Sequence, residues 1–167
     1  MKINIAGIQK QSIVDGIGLR YVVFAQGCSH ACPGCHNPES HPFGIGKDYD
    51  IDDLIKEIDK NPLLKGVTFS GGEPFDQASG FLEFANRIKR TKLDIWCYTG
   101  YIYEDLVNSD DISKVRLLEN IDVLVDGKFQ IEKRSLAMPY RGSFNQRIID
   151  VKKSSLDNIS QIEISVR

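Results

Sequence analysis

Several features that would restrict where a protein works are missing from this sequence. No apolar run among its 167 residues is long enough to span a bilayer, and residues 1–16 lack the apolar core and cleavage site of a signal peptide. The formal net charge is only −2, which argues against nucleic-acid binding over a broad surface. With four cysteines and no secretion signal, we expect a cytoplasmic protein whose cysteines are metal ligands or catalysts rather than disulfides.

The composition also argues against a disordered or repetitive chain. Hydrophobic residues make up 41% of the sequence, a proportion typical of globular proteins, and we find no internal repeat or low-complexity linker. A chain of this length can form one domain with a sizeable core. We therefore predict a single domain that covers residues 1–167.

Three of the four cysteines lie within one short segment. Cys28, Cys32 and Cys35 have the spacing C-x3-C-x2-C. Iron–sulfur clusters are normally held by cysteine thiolates, four when the protein supplies every ligand. A fourth local cysteine is absent, so a cubane cluster here would keep one iron open for a substrate, as catalytic zinc sites keep an open position. Cys97 lies in an apolar segment and is predicted to be a core residue.

Zinc is the alternative metal for this segment. His30, His36 and His41 lie close to the cysteines, so a Cys3His zinc site is possible. Zinc modules usually place two pairs of ligands on either side of an intervening loop. Here the three cysteines share one loop, which favours the iron–sulfur cluster.

Predicted strands and helices alternate along the chain. The hydrophobic periodicity predicts strands at 21–26, 66–70, 93–98, 121–127 and 147–151, helices at 50–60, 77–90 and 103–119 with a break near Asn108-Ser109, and further strands at 2–8 and 161–167. Asp50 is the expected N-cap of the first helix. This alternation indicates an α/β fold with a mostly parallel sheet.

Four loops with polar residues, glycine or cysteine follow predicted strands. They contain Gly27-Cys28, Gly71-Gly72-Glu73, Thr99-Gly100 and Asp126-Gly127. Each glycine alone is explained by an ordinary turn. Because the carboxyl ends of parallel strands meet at one edge of a sheet, we expect the four loops to converge on one site.

The cysteine spacing, followed by a strand that ends in Gly-Gly-Glu-Pro, resembles the radical S-adenosylmethionine superfamily. The resemblance implies a partial, open TIM-like β/α barrel and a [4Fe–4S] cluster whose open iron chelates S-adenosylmethionine. It also implies that the Gly71-Gly72-Glu73 loop faces the amino group of this cofactor, and that Gly34, Cys35 and His36 pack along its adenosyl group. Glycine permits close backbone approach, and carbonyl oxygens or a carboxylate can accept from an ammonium group.

Further segments narrow the resemblance to the activating enzymes of anaerobic (class III) ribonucleoside-triphosphate reductases. These segments read SIVDGIGLRYVVFAQGC, CHNPES, FSGGEPF, WCYTGY, VLVDGKF and RGSFNQRIIDV. The resemblance implies reductive cleavage of S-adenosylmethionine to methionine and a 5′-deoxyadenosyl radical, which takes a hydrogen atom from a glycine of the large reductase subunit. It implies two partners, namely that subunit and a small electron donor such as flavodoxin or ferredoxin.

Other polar residues have open roles, and no catalytic residue is predicted beyond the cluster ligands. Thr99 and Asp126 are candidate cofactor contacts, and Asp126 could meet a ribose hydroxyl, meet a cation or cap the next turn. The resemblance places Arg141, Ser143 and Asn145 near the adenosyl group or the partner-facing end, whereas a solvated turn is the plain alternative.

Two other functions remain open from the sequence. The first is activation of a different glycyl-radical enzyme of the pyruvate formate-lyase type, whose activases share CHN and SIVDG-x-G but resemble this chain less in the RGS-x-NQR region. The second is a zinc-stabilised binding module without catalysis. Colour would distinguish the second, because an anaerobically purified cluster protein is brown and a zinc protein is colourless.

Overall fold

A seven-stranded sheet runs through residues 1–164, the part of the chain that the structure, a computed structural model, describes. The strands are β1 (Lys2–Ser12), β2 (Arg20–Ala25), β3 (Lys47–Asp50), β4 (Gly66–Gly71), β5 (Asp94–Tyr98), β6 (Val123–Asp126) and β7 (Arg147–Asp150). They lie in the order β3-β1-β2-β4-β5-β6-β7.

The four central strands of this sheet are parallel. β2, β4, β5 and β6 pair in parallel, whereas β1 pairs antiparallel with β2 and β3, and β7 pairs antiparallel with β6. Residues 13–19 connect β1 to β2 and are too few for a parallel crossover. The mixed α/β fold agrees with the predicted class, but the sheet is parallel only at its centre.

Helices pack on one face of the sheet. They are α1 (Ile51–Asp59), α2 (Ala78–Ile88), α3 (Tyr103–Val107) and α4 (Ile112–Asn120). Asp50 caps α1 as predicted, since its side chain accepts from the Asp52 backbone N–H. The apolar sides of the helices share one core with alternate strand residues such as Phe69 and Cys97. No helix in residues 1–164 is long and apolar enough to cross a membrane.

The opposite face of the sheet is left for the site. Successive strand residues point to opposite faces, so the neighbours of the main core residues project away from the helices. Trp96, Val125 and Ile148 form a smaller apolar cluster there. Phe24, Ser70 and Tyr98 lie on the same face, near the carboxyl ends of their strands, and line a cleft.

Some predicted elements differ from the observed ones. The first strand continues to Ser12, and β3 was not predicted because its sequence, KDYD, is mostly charged. The predicted helix 77–90 begins at Ala78, after a 3-10 turn over Pro74–Gln77. At the predicted last strand, Gln161 forms only an isolated bridge with Ile149, and 165–167 lie outside the described residues. The predicted break between α3 and α4 is confirmed.

Candidate active site

The three clustered cysteines lie on the loop that follows β2. Cys28, Cys32 and Cys35 are partly exposed and carry free thiols. The loop turns sharply at Ala31 and Gly34, whose φ angles are +49° and +72°. A Cβ at Gly34 would lie 2.6 Å from the Ile131 side chain. Glycine at this position is therefore explained by its backbone conformation and by the packing of the loop against Ile131.

Backbone N–H groups point at the sulfur atoms of this loop. The Asn37 N–H donates to Cys35 Sγ at 3.4 Å. Burial raises the pKa of the Cys28 thiol, and hydrogen bonds from the backbone of His30 and Ala31 act in the opposite direction. Hydrogen bonds to sulfur are one of the means by which proteins set the potential of iron–sulfur clusters. The donor set thus fits a cluster.

Within residues 1–164, no three His, Cys, Asp or Glu side chains are gathered around one point as a single ion requires. A cubane cluster binds each thiolate through a different iron, so its three ligands need not converge on one point.

Cys97 lies apart from the loop, as predicted. It is fully buried in β5, within the main apolar core. Desolvation raises the pKa of its thiol well above the ordinary value. A thiol in such surroundings behaves as a small core residue rather than as a thiolate ligand.

A cleft of about 800 Å³ opens beside the cysteine loop on the sheet face that lacks helices. Cys35 and His36 line it on one side, Gly71 lines it at the end of β4, and Arg141 lines it from the connection between β6 and β7. Its other lining residues are Ile13, Val14, Asp15, Phe24, Asn37, Ser70, Tyr98, Phe129, Arg134, Ser135, Leu136, Met138, Pro139, Tyr140, Gly142 and Gln146. Four predicted site residues therefore share one cleft.

The Gly71-Gly72 pair allows two loops to touch. The Gly72 N–H donates to the Ala25 carbonyl at 2.8 Å, and the Glu73 N–H donates to the Gly27 carbonyl at 2.9 Å. A Cβ at Gly72 would collide with the Gly27 carbonyl oxygen, and Gly71 has a φ of +87°. We expected these glycines to admit the cofactor. The structure gives a second explanation for glycine at these positions, which is the close contact with the backbone of the residues before the cysteine loop.

The Glu73 side chain points into the protein. It is fully buried and lines neither cleft of the described residues. Its carboxylate accepts from Thr99 Oγ1 at 2.9 and 3.0 Å, and from the Gly100 N–H at 2.8 Å. His30 Nε2 lies 2.7 Å from the same carboxylate. Thr99 thus contacts Glu73 rather than the cleft.

Asp126 ends β6 and is almost completely buried. It accepts from Arg147 Nε at 3.0 Å and Nη2 at 2.5 Å, and from the Tyr103 N–H at the start of α3 at 2.8 Å. Of the three alternatives for Asp126, the structure shows the contact with a cation, the Arg147 guanidinium. The backbone N–H that Asp126 accepts belongs to Tyr103 and not to the turn that follows β6. Asp126 also lines a second cleft, of about 600 Å³, together with His30 and Asn145.

Arg147 also pairs with Glu104, which gives a pH-dependent contribution to stability. The pKa of Glu104 lies below its ordinary value of 4.5, mainly because of the hydrogen bond from Arg147. The pair therefore stabilises the fold above about pH 4.5, and its contribution is lost as the pH falls through the lowered value. We expect Glu104→Gln to flatten the acid side of the stability profile. Urea unfolding across the acid range measures this, and an unchanged profile would contradict it.

Polar side chains of the RGSFNQR segment mostly hold the segment itself. Ser143 Oγ donates to Asn145 Oδ1 at 2.6 Å, and Asn145 Nδ2 donates to the Lys128 carbonyl at 2.7 Å. Gln146 Oε1 accepts from the Gly142 N–H at 2.8 Å. Arg141 also holds the segment, since its Nη1 donates to the Gln146 carbonyl at 3.2 Å. The residue lines the cleft, and its Nε atom is buried without a hydrogen-bond partner within the described residues.

Sequence reasoning missed the residues that form the floor of the cleft. Phe24, Ser70 and Tyr98 are each close to a predicted loop, but they belong to strands. The period-two alternation of a strand could have identified them. Each of the three residues is next to a residue of the main core, so its side chain points to the opposite face of the sheet.

Comparison with known proteins agrees with the chemistry of the loop. A family described as "4Fe-4S single cluster domain" matches residues 14–149. The chain is 37% identical to the anaerobic ribonucleoside-triphosphate reductase-activating protein of Haemophilus influenzae, over 81% of this chain and 90% of the relative. It is 38% identical to the protein of that name from Vibrio cholerae, with the same coverage, and 32% identical to that of Escherichia coli K12, over 80% and 90%.

A solved structure supports the fold. The crystal structure of QueE from Escherichia coli aligns with a TM-score of 0.51 over 79% of this chain and 73% of that chain. The aligned residues are 13% identical, so this similarity concerns the fold alone.

Proposed function

Because this chain belongs to the family of anaerobic ribonucleoside-triphosphate reductase-activating proteins, we propose that it activates such a reductase by reductive cleavage of S-adenosylmethionine. The cofactors are a [4Fe–4S] cluster and S-adenosylmethionine, and the match to a 4Fe-4S family favours the cluster over zinc. One observation supports the assignment of this function to particular residues. The cysteine loop opens, through Cys35 and His36, into a cleft that Gly71 and Arg141 also line.

We assign the cluster to Cys28, Cys32 and Cys35. When bound and reduced, a cluster of this kind supplies the electron that breaks a carbon–sulfur bond of the sulfonium cofactor. The protein contributes three thiolates and N–H groups directed at Cys28 and Cys35. The four free thiols of the described chain fit the reducing cytoplasm, where we place the reaction.

We assign the 800 Å³ cleft to S-adenosylmethionine. This volume is within the range of small-molecule sites, which combine apolar walls with a few polar groups. Phe24 and Tyr98 supply the apolar floor, and the backbone at Cys35 and His36 borders the adenosyl end. The Gly71-Gly72 loop borders the methionine end. Arg141 lines the same cleft, and we assign its guanidinium as a donor to an oxygen of the cofactor, since this group carries five N–H donors.

The mouth of the cleft suits a protein substrate. Ile13 and Val14 on one rim are each 71% exposed, and Leu136 on the other rim is 88% exposed. The sheet does not close on itself within the described residues, since β3 and β7 stand at opposite ends of the strand order, so it is consistent with a partial, open barrel. We propose that a glycine-bearing segment of the large reductase subunit enters between the rims, and that a small flavodoxin- or ferredoxin-type protein supplies the electron.

Cofactor binding to the reconstituted protein tests this assignment. We expect Arg141→Met to weaken S-adenosylmethionine binding by about tenfold, the effect of losing a hydrogen bond from a charged donor, with full iron content retained. Arg90→Met is the matched control, because Arg90 is exposed beyond α2. Calorimetry measures the affinity. Equal affinities of the two variants would contradict the role of Arg141, and a wild-type protein that binds no S-adenosylmethionine would contradict the proposed function.

A further inference from the structure

Glu73 lies where its own loop, the Thr99-Gly100 loop and the cysteine loop meet. Its carboxylate receives hydrogen bonds from the Phe75 N–H at 3.0 Å, the Thr99 hydroxyl and the Gly100 N–H. His30 Nε2 completes the set at 2.7 Å. An ionised carboxylate offers about four lone-pair sites, and four donor groups occupy them. An ammonium group of a ligand would have to displace one of these donors.

His30 is the donor that links this carboxylate to the cysteine loop, since it lies between Cys28 and Cys32. Its side chain is only 7% exposed, and its ring packs edge-on against Tyr101 with centroids 4.5 Å apart. The ring also lies so close to Gly100 that a Cβ there would collide with it. The pocket around His30 is therefore closely fitted.

A second contact fastens the same loop. The Ser29 N–H donates to Asp76 Oδ2 at 2.8 Å, and the Tyr101 hydroxyl donates to Asp76 Oδ1 at 2.7 Å. Asp76 and Glu73 both belong to the segment that follows β4. The loop is thus joined to the segment after β4 by two residues three positions apart, and Tyr101 contacts both attachments.

We propose that Glu73 is a positioning residue, which holds the cysteine loop through His30 in the geometry that accepts the cluster, rather than a ligand of S-adenosylmethionine. The inference rests on the proposed cluster at the three cysteines. Replacing a group that hydrogen-bonds to a metal ligand commonly changes metal affinity by about 10–100-fold. The side chains of Glu73 and His30 act less directly, through the backbone of the loop that carries the cysteines.

Two variants separate positioning from ordinary stability. His30→Ala and Thr99→Val each remove one donor from the same carboxylate, but only His30 belongs to the cysteine loop. We expect His30→Ala to weaken cluster retention by about tenfold against an iron chelator. Thr99→Val should lower the thermal midpoint and leave iron content per folded chain unchanged. His30→Gln keeps a donor N–H and should restore part of the retention.

The protein without iron provides a readout that does not depend on activity. We expect backbone hydrogen exchange over residues 28–36 to quicken in His30→Ala and Glu73→Gln, and to stay at the wild-type rate in Thr99→Val. If Glu73→Gln instead keeps the cluster and its paramagnetic resonance spectrum but binds S-adenosylmethionine at least about tenfold more weakly, Glu73 is a cofactor ligand and the proposal is wrong.

The remaining outcomes separate this proposal from the proposed function. A wild-type protein that takes up no iron–sulfur cluster would overturn both. A wild-type protein that holds the cluster, with a His30→Ala variant that holds it equally well and exchanges equally slowly, would overturn the positioning role alone.

Discussion

Alanine in place of Cys28, Cys32 or Cys35 is expected to abolish S-adenosylmethionine cleavage and to remove most of the bound iron. The chain offers three thiolates on this loop and no fourth cysteine nearby. A cubane cluster left with two protein ligands is poorly held. Iron and sulfide analysis after anaerobic reconstitution, followed by detection of 5′-deoxyadenosine, measures both effects.

Cys97→Ala is the matched control for the three loop cysteines. Cys97 is fully buried in the core, so its replacement leaves a small cavity and should cost about 1 kcal/mol of folding stability. Iron content and cleavage should stay at the wild-type level. Full iron and activity in Cys32→Ala, or loss of the cluster in Cys97→Ala, would contradict the ligand assignment.

Valine in place of Gly72 is expected to destabilise the protein and to release the cluster. The new Cβ would collide with the Gly27 carbonyl oxygen and lie 2.9 Å from that of Ala25. Both are backbone atoms, which cannot rotate away as a side chain does. Overpacking of this kind costs about 1–3 kcal/mol, and here the strain falls on the residue next to Cys28. Thermal unfolding and iron analysis measure the two effects.

Gly7→Val is the control for Gly72→Val. Gly7 also lies in the sheet, in β1, but a Cβ there would meet nothing within 4 Å. We expect it to retain the cluster and the wild-type thermal midpoint. A Gly72→Val protein that unfolds at the wild-type temperature and keeps its iron would show that the two loops separate easily, contrary to the structure.

The parallel centre of the fold could be predicted because its strands are apolar and bounded by glycine. The same pattern placed the cysteine loop and the Gly71-Gly72 loop at one edge of the sheet, where both border the cleft. The direction of the β6–β7 connection could not be predicted. Residues 127–146 have no helical or strand periodicity, although they supply one wall of the cleft.

The direction in which a buried side chain points could not be predicted from the sequence either. A glutamate after a glycine pair is an evident candidate for an ammonium contact, but its partners Thr99, Gly100 and His30 are distant in sequence. Asp126 was recognised as a buried carboxylate that needs a partner. Its pairing with Arg147 depends on the antiparallel register of β6 and β7, which places these two residues opposite each other.

The most direct test of the account is electron paramagnetic resonance of the reductase after anaerobic incubation with this protein, S-adenosylmethionine and a reductant. The account predicts a glycyl-radical doublet on the anaerobic ribonucleoside-triphosphate reductase, dependent on both additions and absent with the Cys32→Ala variant. If the reductase yields no radical while pyruvate formate-lyase does, under the same conditions, the protein activates a different glycyl-radical enzyme and the central claim is wrong.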